Sequence, residues 1–359
     1  MGDGNVRFEI SRTDYTKTRF LETPTSALGD GEVRFAVERF ALTANTTTYA
    51  LVGDMLGYWD FFPTDEGWGR VPAIGWGRIV ESAHPDVSTG GLYFGWFPMS
   101  RTIDMTVSGL PDGVRDDGKH RAAHAPVYRT YTATEFDPFH EPGEDAENRH
   151  ALLRGLFITG FLADDFFADS GYYGASRVIV MSASSKTAIS FAQRAALRDV
   201  EVVGLTSTRN AGFVRSLGCY AGVLEYDAIA SLPADIDTVL IDMAGNATVL
   251  ARVHDHLGAR LRYSMTVGMS HAGAAPHAPP TKGPTPELFF APGQIEKRIE
   301  SWGIDGYRER VNGALREFVG ASRDWLEVTR SSGPQAAENI WLDTLAGKVA
   351  PSVGHIVSV

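Results

Sequence analysis

Residues 177–190 read RVIVMSASSKTAIS. An apolar run, RVIVM (177–181), meets a cluster of small residues, SASSKTA (182–188), and a helical pattern follows. Strand, small-residue turn and helix in this order form a phosphate-cradling turn, in which a tight bend presents the N-terminus of a helix to an anion. This turn contains no glycine. A dinucleotide turn needs small residues for the bend, for backbone approach to the pyrophosphate and for packing of helix on strand. Ser182, Ser185 and Ala188, spaced three and three, are the nearest substitutes. Hydroxyls on Ser184, Ser185 and Thr187 can donate to phosphate oxygens, and Lys186 adds a positive charge. The same serines and threonine are also good helix caps, so a plain capped helix is the competing reading. A Walker A loop is excluded by the missing glycines, and an SxxK nucleophile by Ala183 in the serine position.

Working outward, helices and strands alternate from 151 onward. A helix over 151–170 precedes RVIVM; then come a helix from 187, the strand VEVVGLT (200–206), a helix near 210–218, the strands AGVLEY and DTVLIDMAG, a helix over 247–258 and the strand RLRYSMTVG (260–268). Near-continuous apolar strands alternating with helices predict a parallel sheet covered on both faces. The end of the second strand, GLTSTRNAG (204–212), carries Thr206, Ser207 and Arg209 and no carboxylate. NAD enzymes place an acid about 20 residues beyond the turn for the ribose 2′-hydroxyl, whereas hydroxyls with a cation suit a 2′-phosphate. The expected cofactor is therefore NADP(H), the polar loop also being a plausible helix cap.

The first hundred residues differ in texture. Short apolar stretches such as GEVRFAVERFAL (31–42) and AIGWGRIVESA (73–83), broken by Gly, Pro and Thr, predict a barrel-like or sandwich β unit. Residues 111–150, rich in charge, His and Pro, read as an exposed insertion or long connection. The expected fold class is α/β, with a β-rich domain over 1–150, a doubly wound parallel-sheet domain over 151–315 and a C-terminal return to the first domain over 316–359.

Composition narrows the function. A net charge of -11 with no basic run argues against nucleic acid, whose phosphates call for clustered cations. No apolar run reaches the ~18 residues that cross a bilayer, and the first residues match neither a secretion signal nor a myristoylation pattern, so a cytoplasmic location is expected. One cysteine, Cys219, excludes an internal disulfide and a multi-cysteine zinc site. His120 and His124 are spaced like a helical metal pair but lack a third ligand, and His254 and His256 read as the solvated face of a helix. No metal is expected.

The order of segments from GEVRFAVERFAL through VPAIGWGRIVES (71–82) and the strand-turn-helix to GHIVSV (354–359) resembles the medium-chain dehydrogenase/reductase superfamily. It resembles most a divergent bacterial and fungal branch marked by turns like SASSKTA, by DMAGN (242–246) and by FFAP (289–292). The resemblance implies a chaperonin-ten-like barrel in the catalytic domain, an inserted Rossmann cofactor domain, and a dimer or larger homo-oligomer. The superfamily's zinc enzymes carry a Cys and a His where this chain has Asn45 and Trp76, which implies a zinc-free member, quinone-reductase-like. In such members an Asn near the first position lies against the nicotinamide and a Tyr after the third strand reaches the 2′-phosphate. Asn45 and Tyr226 are carried over on that basis.

Without zinc the electrophile must be a hydrogen-bond donor. Tyr49 and Tyr58, near Asn45, are candidates for stabilising or protonating the developing anion, core packing being the other explanation for both. The loop VGMSHAGAAPHAPPTKG (267–283) follows a sheet strand; Gly268 would admit the cofactor, and His271 is a candidate proton shuttle or an ordinary surface histidine. Gly245 and Asn246 close another strand on the same side. The aromatic runs GYWDFFP (57–63) and GGLYFGWFPM (90–99) either line an apolar pocket or fill the barrel. These features together predict an NADPH-dependent reductase acting on the conjugated double bond or carbonyl of an apolar small molecule. The alternatives are a lyase or isomerase, or a non-catalytic nucleotide-binding protein, on a reductase scaffold.

Overall fold

In the computed structural model, which describes residues 4–243, 245–267, 280 and 282–359, the chain starts with an antiparallel pair, β1 (Gly4–Ser11) and β2 (Thr18–Pro24). The long β3 (Glu32–Leu42) leads into α1 (Ala44–Leu51), α2 (Gly53–Leu56) and a 3₁₀ turn over Tyr58–Phe61. A short β4 (Trp68–Gly69) pairs back on β1. There follow β5 (Pro72–Ser82), β6 (Gly90–Pro98), β7 (Thr102–Leu110), β8 (Gly113–Asp116), α3 (Pro126–Arg129) and β9 (Thr130–Ala133).

Strands β3, β5, β6, β9, β8 and β7 pair antiparallel in that order, and β7 pairs again with β3. Six strands therefore close into a barrel, which removes the exposed edges an open sheet would leave. Rings of Phe35, Phe97 and Tyr131 meet at centroid distances of 4.9–5.5 Å and are fully buried. Here residues 111–150 depart from the expected exposed insertion. They supply β8 and β9, two strands without which the barrel would not close. Both alternate half-buried with buried positions, a period-2 pattern only four residues long in each and masked by charged neighbours.

The helix predicted over 151–170 is α4 (Glu144–Asp169), whose first turn carries Glu144, Asp145 and Glu147, acids that suit a helix N-terminus. Beyond it come β10 (Arg177–Met181), α5 (Lys186–Ala195), β11 (Glu201–Thr206), α6 (Thr208–Ser216), β12 (Gly222–Glu225), β13 (Thr238–Asp242), α7 (Ala247–Leu257), β14 (Leu261–Thr266), β15 (Glu287–Leu288) and α8 (Ala291–Ala321). All six strands run parallel in the order β12-β11-β10-β13-β14-β15, so the chain winds outward both ways from β10. Val178, Val180 and Val239 face one apolar core and Ile179, Met181 and Leu240 the other. That two-sided burial is why these strands read as unbroken apolar runs.

The chain then returns through β16 (Glu327–Ser332), α9 (Pro334–Leu345) and β17 (Val353–Ser358), with β17 antiparallel to the end of β3 and β16 parallel to β17. Contacts divide the chain into one unit of Met1–Leu152 with Glu327–Val359 and another of Leu153–Leu326. The return expected from 316 begins at Glu327, because α8 continues its apolar face, with Leu315, Phe318 and Val319 buried, to Ala321. His254 also departs from the solvated face expected of it. It is fully buried, its ring nitrogens bonded to the Lys282 carbonyl and the Ser264 hydroxyl, both at 2.9 Å.

Gly160 sets how closely α4 approaches α5, the helix that follows the turn. A Cβ there would stand 1.9 Å from Ser190 Oγ and 2.8 Å from the Phe191 nitrogen and the Thr187 carbonyl oxygen. Alanine gains about 1 kcal/mol of helix propensity over glycine, but overpacking against backbone costs about 1–3 kcal/mol. Gly160→Ala should therefore lower the urea midpoint despite its better propensity; an unchanged or raised midpoint would contradict this packing.

Candidate functional site

The SASSKTA turn lies at the carboxyl end of β10, the end at which open parallel sheets take ligands. In the register, Met181 stands level with Leu205 on one side and Asp242 on the other, so the turns after β10, β11 and β13 share that edge. Ser182 adopts φ +55°, the left-handed region that glycine occupies without penalty. Its hydroxyl lies 3.4 Å from that of Tyr226, the first residue after β12. Ala183 is fully buried; its N–H donates to the Leu205 carbonyl at 3.0 Å and its carbonyl accepts from the Tyr220 hydroxyl at 2.8 Å.

Ser185 is the N-cap of α5, its hydroxyl accepting from the Ala188 N–H at 3.2 Å, and its own N–H donates to the Ser182 carbonyl at 2.9 Å. The Ser184 hydroxyl accepts from Asn210 Nδ2 at 3.1 Å. Both hydroxyls act as acceptors in these bonds, which leaves each its hydrogen to donate. Capping and anion binding are thus compatible on the same residues. Lys186 begins the helix, half-buried, and burial pushes its ammonium down to about 8. The positive end of the helix opposes that charge as well. Thr187 is half-buried and Ala188 fully buried in the same first turn.

Thr206 ends β11 and is buried, Ser207 is the N-cap of α6 without a side-chain cap bond, and Arg209 is exposed in the first helical turn. Two residues escaped the sequence reading. Glu225, at the end of β12, stands level with Thr206, accepts from the Thr208 hydroxyl at 2.5 Å and lies 3.9 Å from Arg215. Only the strand register reveals it, since it lies 19 residues beyond Thr206 in sequence. Asp242 is fully buried and accepts from the Gly245 N–H at 3.1 Å. Gly245 has φ +72°, and Asn246 caps α7 by accepting from the Val249 N–H at 3.1 Å. Gly268 and His271 lie outside the described residues.

The barrel unit brings its own candidates together. Asn45 and Tyr49, four apart on α1, share a face, and the Asn45 side chain works against the burial that raises the Tyr49 pKa. Trp96 Nε1, from β6, donates to the same hydroxyl at 3.0 Å. The Tyr49 and Tyr58 rings meet edge to face at 4.8 Å, and the Tyr58 hydroxyl lies 3.3 Å from that of Tyr128 on α3. Sequence reasoning missed Tyr128, because residues 111–150 read as an insertion, and took Trp96 only as part of the aromatic run 90–99. Tyr49 and Tyr58 are 7% and 8% exposed, and burial raises the pKa of both phenols, which keeps them protonated. Their hydroxyls bond side chains, so neither is simply tied to backbone.

Trp76 is fully buried and its indole donates to the Glu147 carbonyl at 3.0 Å. His124 bonds the Gly57 carbonyl at 2.9 Å. Among the described residues no group of three or more His, Cys, Asp or Glu side chains is arranged to hold a metal, and no helix is long and apolar enough to cross a membrane. Most of the two aromatic runs, including Trp59, Phe61, Phe62, Phe94, Phe97 and Met99, is buried as core.

A closed barrel joined to a doubly wound sheet is the two-domain fold of the medium-chain dehydrogenase/reductase superfamily. Similar solved structures include CurA from Vibrio vulnificus in complex with NADPH (12% identity, 95% of this chain and 94% of that one, TM-score 0.57). They also include the yhdH oxidoreductase from Salmonella enterica in complex with NADP (14%, 99% and 99%, 0.56) and a mutant enoyl thioester reductase from Candida tropicalis (11%, 99% and 100%, 0.54). At these identities the likeness is one of fold. The chain itself belongs to the family described as "Protein of unknown function (DUF2855)", whose model matches residues 40–350. No curated protein matches the sequence.

Backbone strain at Ser182 gives the turn a testable signature. Glycine would relieve a left-handed residue of about 1–2 kcal/mol while costing about 0.5–1 kcal/mol of unfolded-state entropy, whereas a β-branched residue suffers the full strain. Ser182→Gly should stay within about 1 kcal/mol of the parent protein in urea unfolding, and Ser182→Val should lose about 1–3 kcal/mol. Equal stability of the valine and glycine variants would rule out the left-handed turn.

Proposed function

We propose that the protein is an NADPH-dependent, zinc-free reductase, quinone-reductase-like, acting on the conjugated double bond or carbonyl of an apolar enone, quinone or ketone. The observation that carries this reading is the turn after β10. It combines a left-handed bend, two hydroxyls with hydrogens to donate and a half-buried lysine at a helix N-terminus. That donor set suits a pyrophosphate. The NADPH and NADP complexes among the similar structures support the same cofactor.

NADPH would supply the hydride when bound. In this reading the chain's residues do the rest. Ser184, Ser185 and Lys186 hold the pyrophosphate, and Thr206, Ser207, Arg209 and Tyr226 surround the 2′-phosphate. Gly245, Asn246 and, beyond the described residues, Gly268 border the remainder of the cofactor, with His271 a candidate proton shuttle. Asn45 orients the nicotinamide, and the Tyr49 and Tyr58 phenols stabilise or protonate the oxygen on which charge develops. The enzyme works as a cytoplasmic homodimer on a small apolar substrate, without nucleic acid or membrane. Oxidation of NADPH in the presence of members of an enone, quinone and ketone panel tests the whole. Bound NADPH with no oxidation by any of them would remove the reductase assignment.

Glu225 makes the cofactor choice testable. A 2′-phosphate held by Arg209 lies near a carboxylate it repels, so Arg209→Ala should weaken NADPH roughly tenfold or more with little change for NADH. Glu225→Gln should tighten NADPH severalfold. If Glu225→Gln instead weakens NADH, the carboxylate holds a ribose hydroxyl and the preference is for NAD.

Lys186 predicts a pH dependence. A phosphate beside it raises its pKa above the value of about 8 that burial gives it in the chain alone. Below about pH 8 the lysine is already protonated and affinity for NADPH is flat; above it, binding must take up a proton, and affinity falls up to tenfold per pH unit. Lys186→Gln should abolish that fall in calorimetric titrations from pH 7 to 10. A wild-type profile that stays flat over that range would refute the contact.

A further inference from the structure

Hydrogens outnumber acceptors in the tyrosine cluster of the barrel unit. The Tyr49 oxygen accepts from the Trp96 indole at 3.0 Å. A phenol has two lone pairs and one hydrogen, so the bond accepted from Trp96 leaves the hydrogen to be given away. Tyr58 and Tyr128 are 3.3 Å apart oxygen to oxygen, and one hydrogen serves that bond. Among the described residues no protein acceptor takes the other hydrogen of that pair, nor that of Tyr49. Two O–H donors are therefore in surplus inside an aromatic enclosure of Phe61, Trp96 and the three phenol rings.

The donors are held in place. Arg121, fully buried, donates to the Tyr128 carbonyl, lies 3.9 Å over the Phe61 ring and stands 3.4 Å from Asp116. His124 bonds the Gly57 carbonyl, just before Tyr58. The segment from Asp116 to Tyr128 is thus clamped onto the turn carrying Tyr58. Tyr49 and Tyr58 are buried, whereas Tyr128, Trp96 and Asn45 are half-buried and form the solvent side of the cluster.

We propose that Tyr49, Tyr58 and Tyr128 form a donor pocket for the oxygen of a flat, apolar carbonyl compound or of its enolate, with Tyr128 presenting the outermost hydroxyl. Such a ligand supplies the acceptor that the surplus hydrogens lack, and the rings cover its apolar faces. Burial raises the pKa of all three phenols, so they serve as donors and not as bases. The proposal rests on the reductase reading for its natural substrate, but the pocket can be tested without cofactor.

The probe is 4-nitrophenolate, a flat oxyanion whose absorption band shifts when hydrogen bonds are donated to it. Titration into the full-length protein should give saturable binding with a shifted band. Tyr128→Phe should weaken binding about tenfold or more, Tyr49→Phe should weaken it too, and Tyr173→Phe, an exposed tyrosine of the other unit, should leave it unchanged. Circular dichroism melting and NADPH titration of each variant separate a lost donor from a lost fold. An absence of binding to the parent protein, or parent-like affinity in folded Tyr128→Phe and Tyr49→Phe, would overturn the pocket. Nitrophenolate binding as described with no NADPH binding would leave the pocket standing and sink the reductase reading; the reverse pattern would do the opposite.

Discussion

Strand β10 pairs in parallel with β11 on one side and β13 on the other, and all five of its residues are buried. That pairing fixes where the strand ends and hence where its following turn can point. Because the winding order reverses at β10, the turns after β10, β11, β12 and β13 collect at one edge of the sheet. The approach of Tyr226 to Ser182, of Asn210 to Ser184 and of Glu225 to Thr206 are all consequences of that register. A slip of one residue would exchange the faces of the strand and scatter the set.

At this position the chemistry of serine differs from that of glycine. Glycine gives a bare backbone and an unstrained left-handed bend. Here Ser182 keeps the bend and accepts the strain, while its hydroxyl and those of Ser184 and Ser185 are fastened to Tyr226, Asn210 and the first turn of α5. The turn is therefore cross-linked by side chains, whereas a glycine turn is shaped only by its backbone. Rigidity gained before binding lowers the ordering cost of holding an anion.

Sequence periodicity reveals what is repeated and hides what is short. The apolar strands of the sheet unit and the helices between them were legible because two-sided burial leaves long unbroken runs. Strands β8 and β9 were not: four residues of alternation in each are too few to stand out among Asp, Arg, His and Pro. With them went Tyr128 and the arginine clamp at Arg121, whose roles arise only when the barrel closes. SASSKTA was legible as a turn between strand and helix, and Tyr49 and Tyr58, chosen because they lie near Asn45 in the chain, meet edge to face in the barrel unit. Glu225 and Asp242 stayed hidden because a strand-end carboxylate acquires meaning only from the strand beside it. His254 was misread for a related reason: a histidine on a polar-looking helix turned out to bridge a strand hydroxyl and a loop carbonyl.

The account stands on the turn after β10 acting as an anion cradle, and calorimetric titration of the untagged protein with NADPH examines it most directly. A single saturable site per chain in the micromolar range or tighter, lost in Lys186→Gln and in a Ser184→Ala, Ser185→Ala double variant that remains folded, is the predicted result. Absence of heat with both NADPH and NADH, or an affinity indifferent to those substitutions, would contradict it.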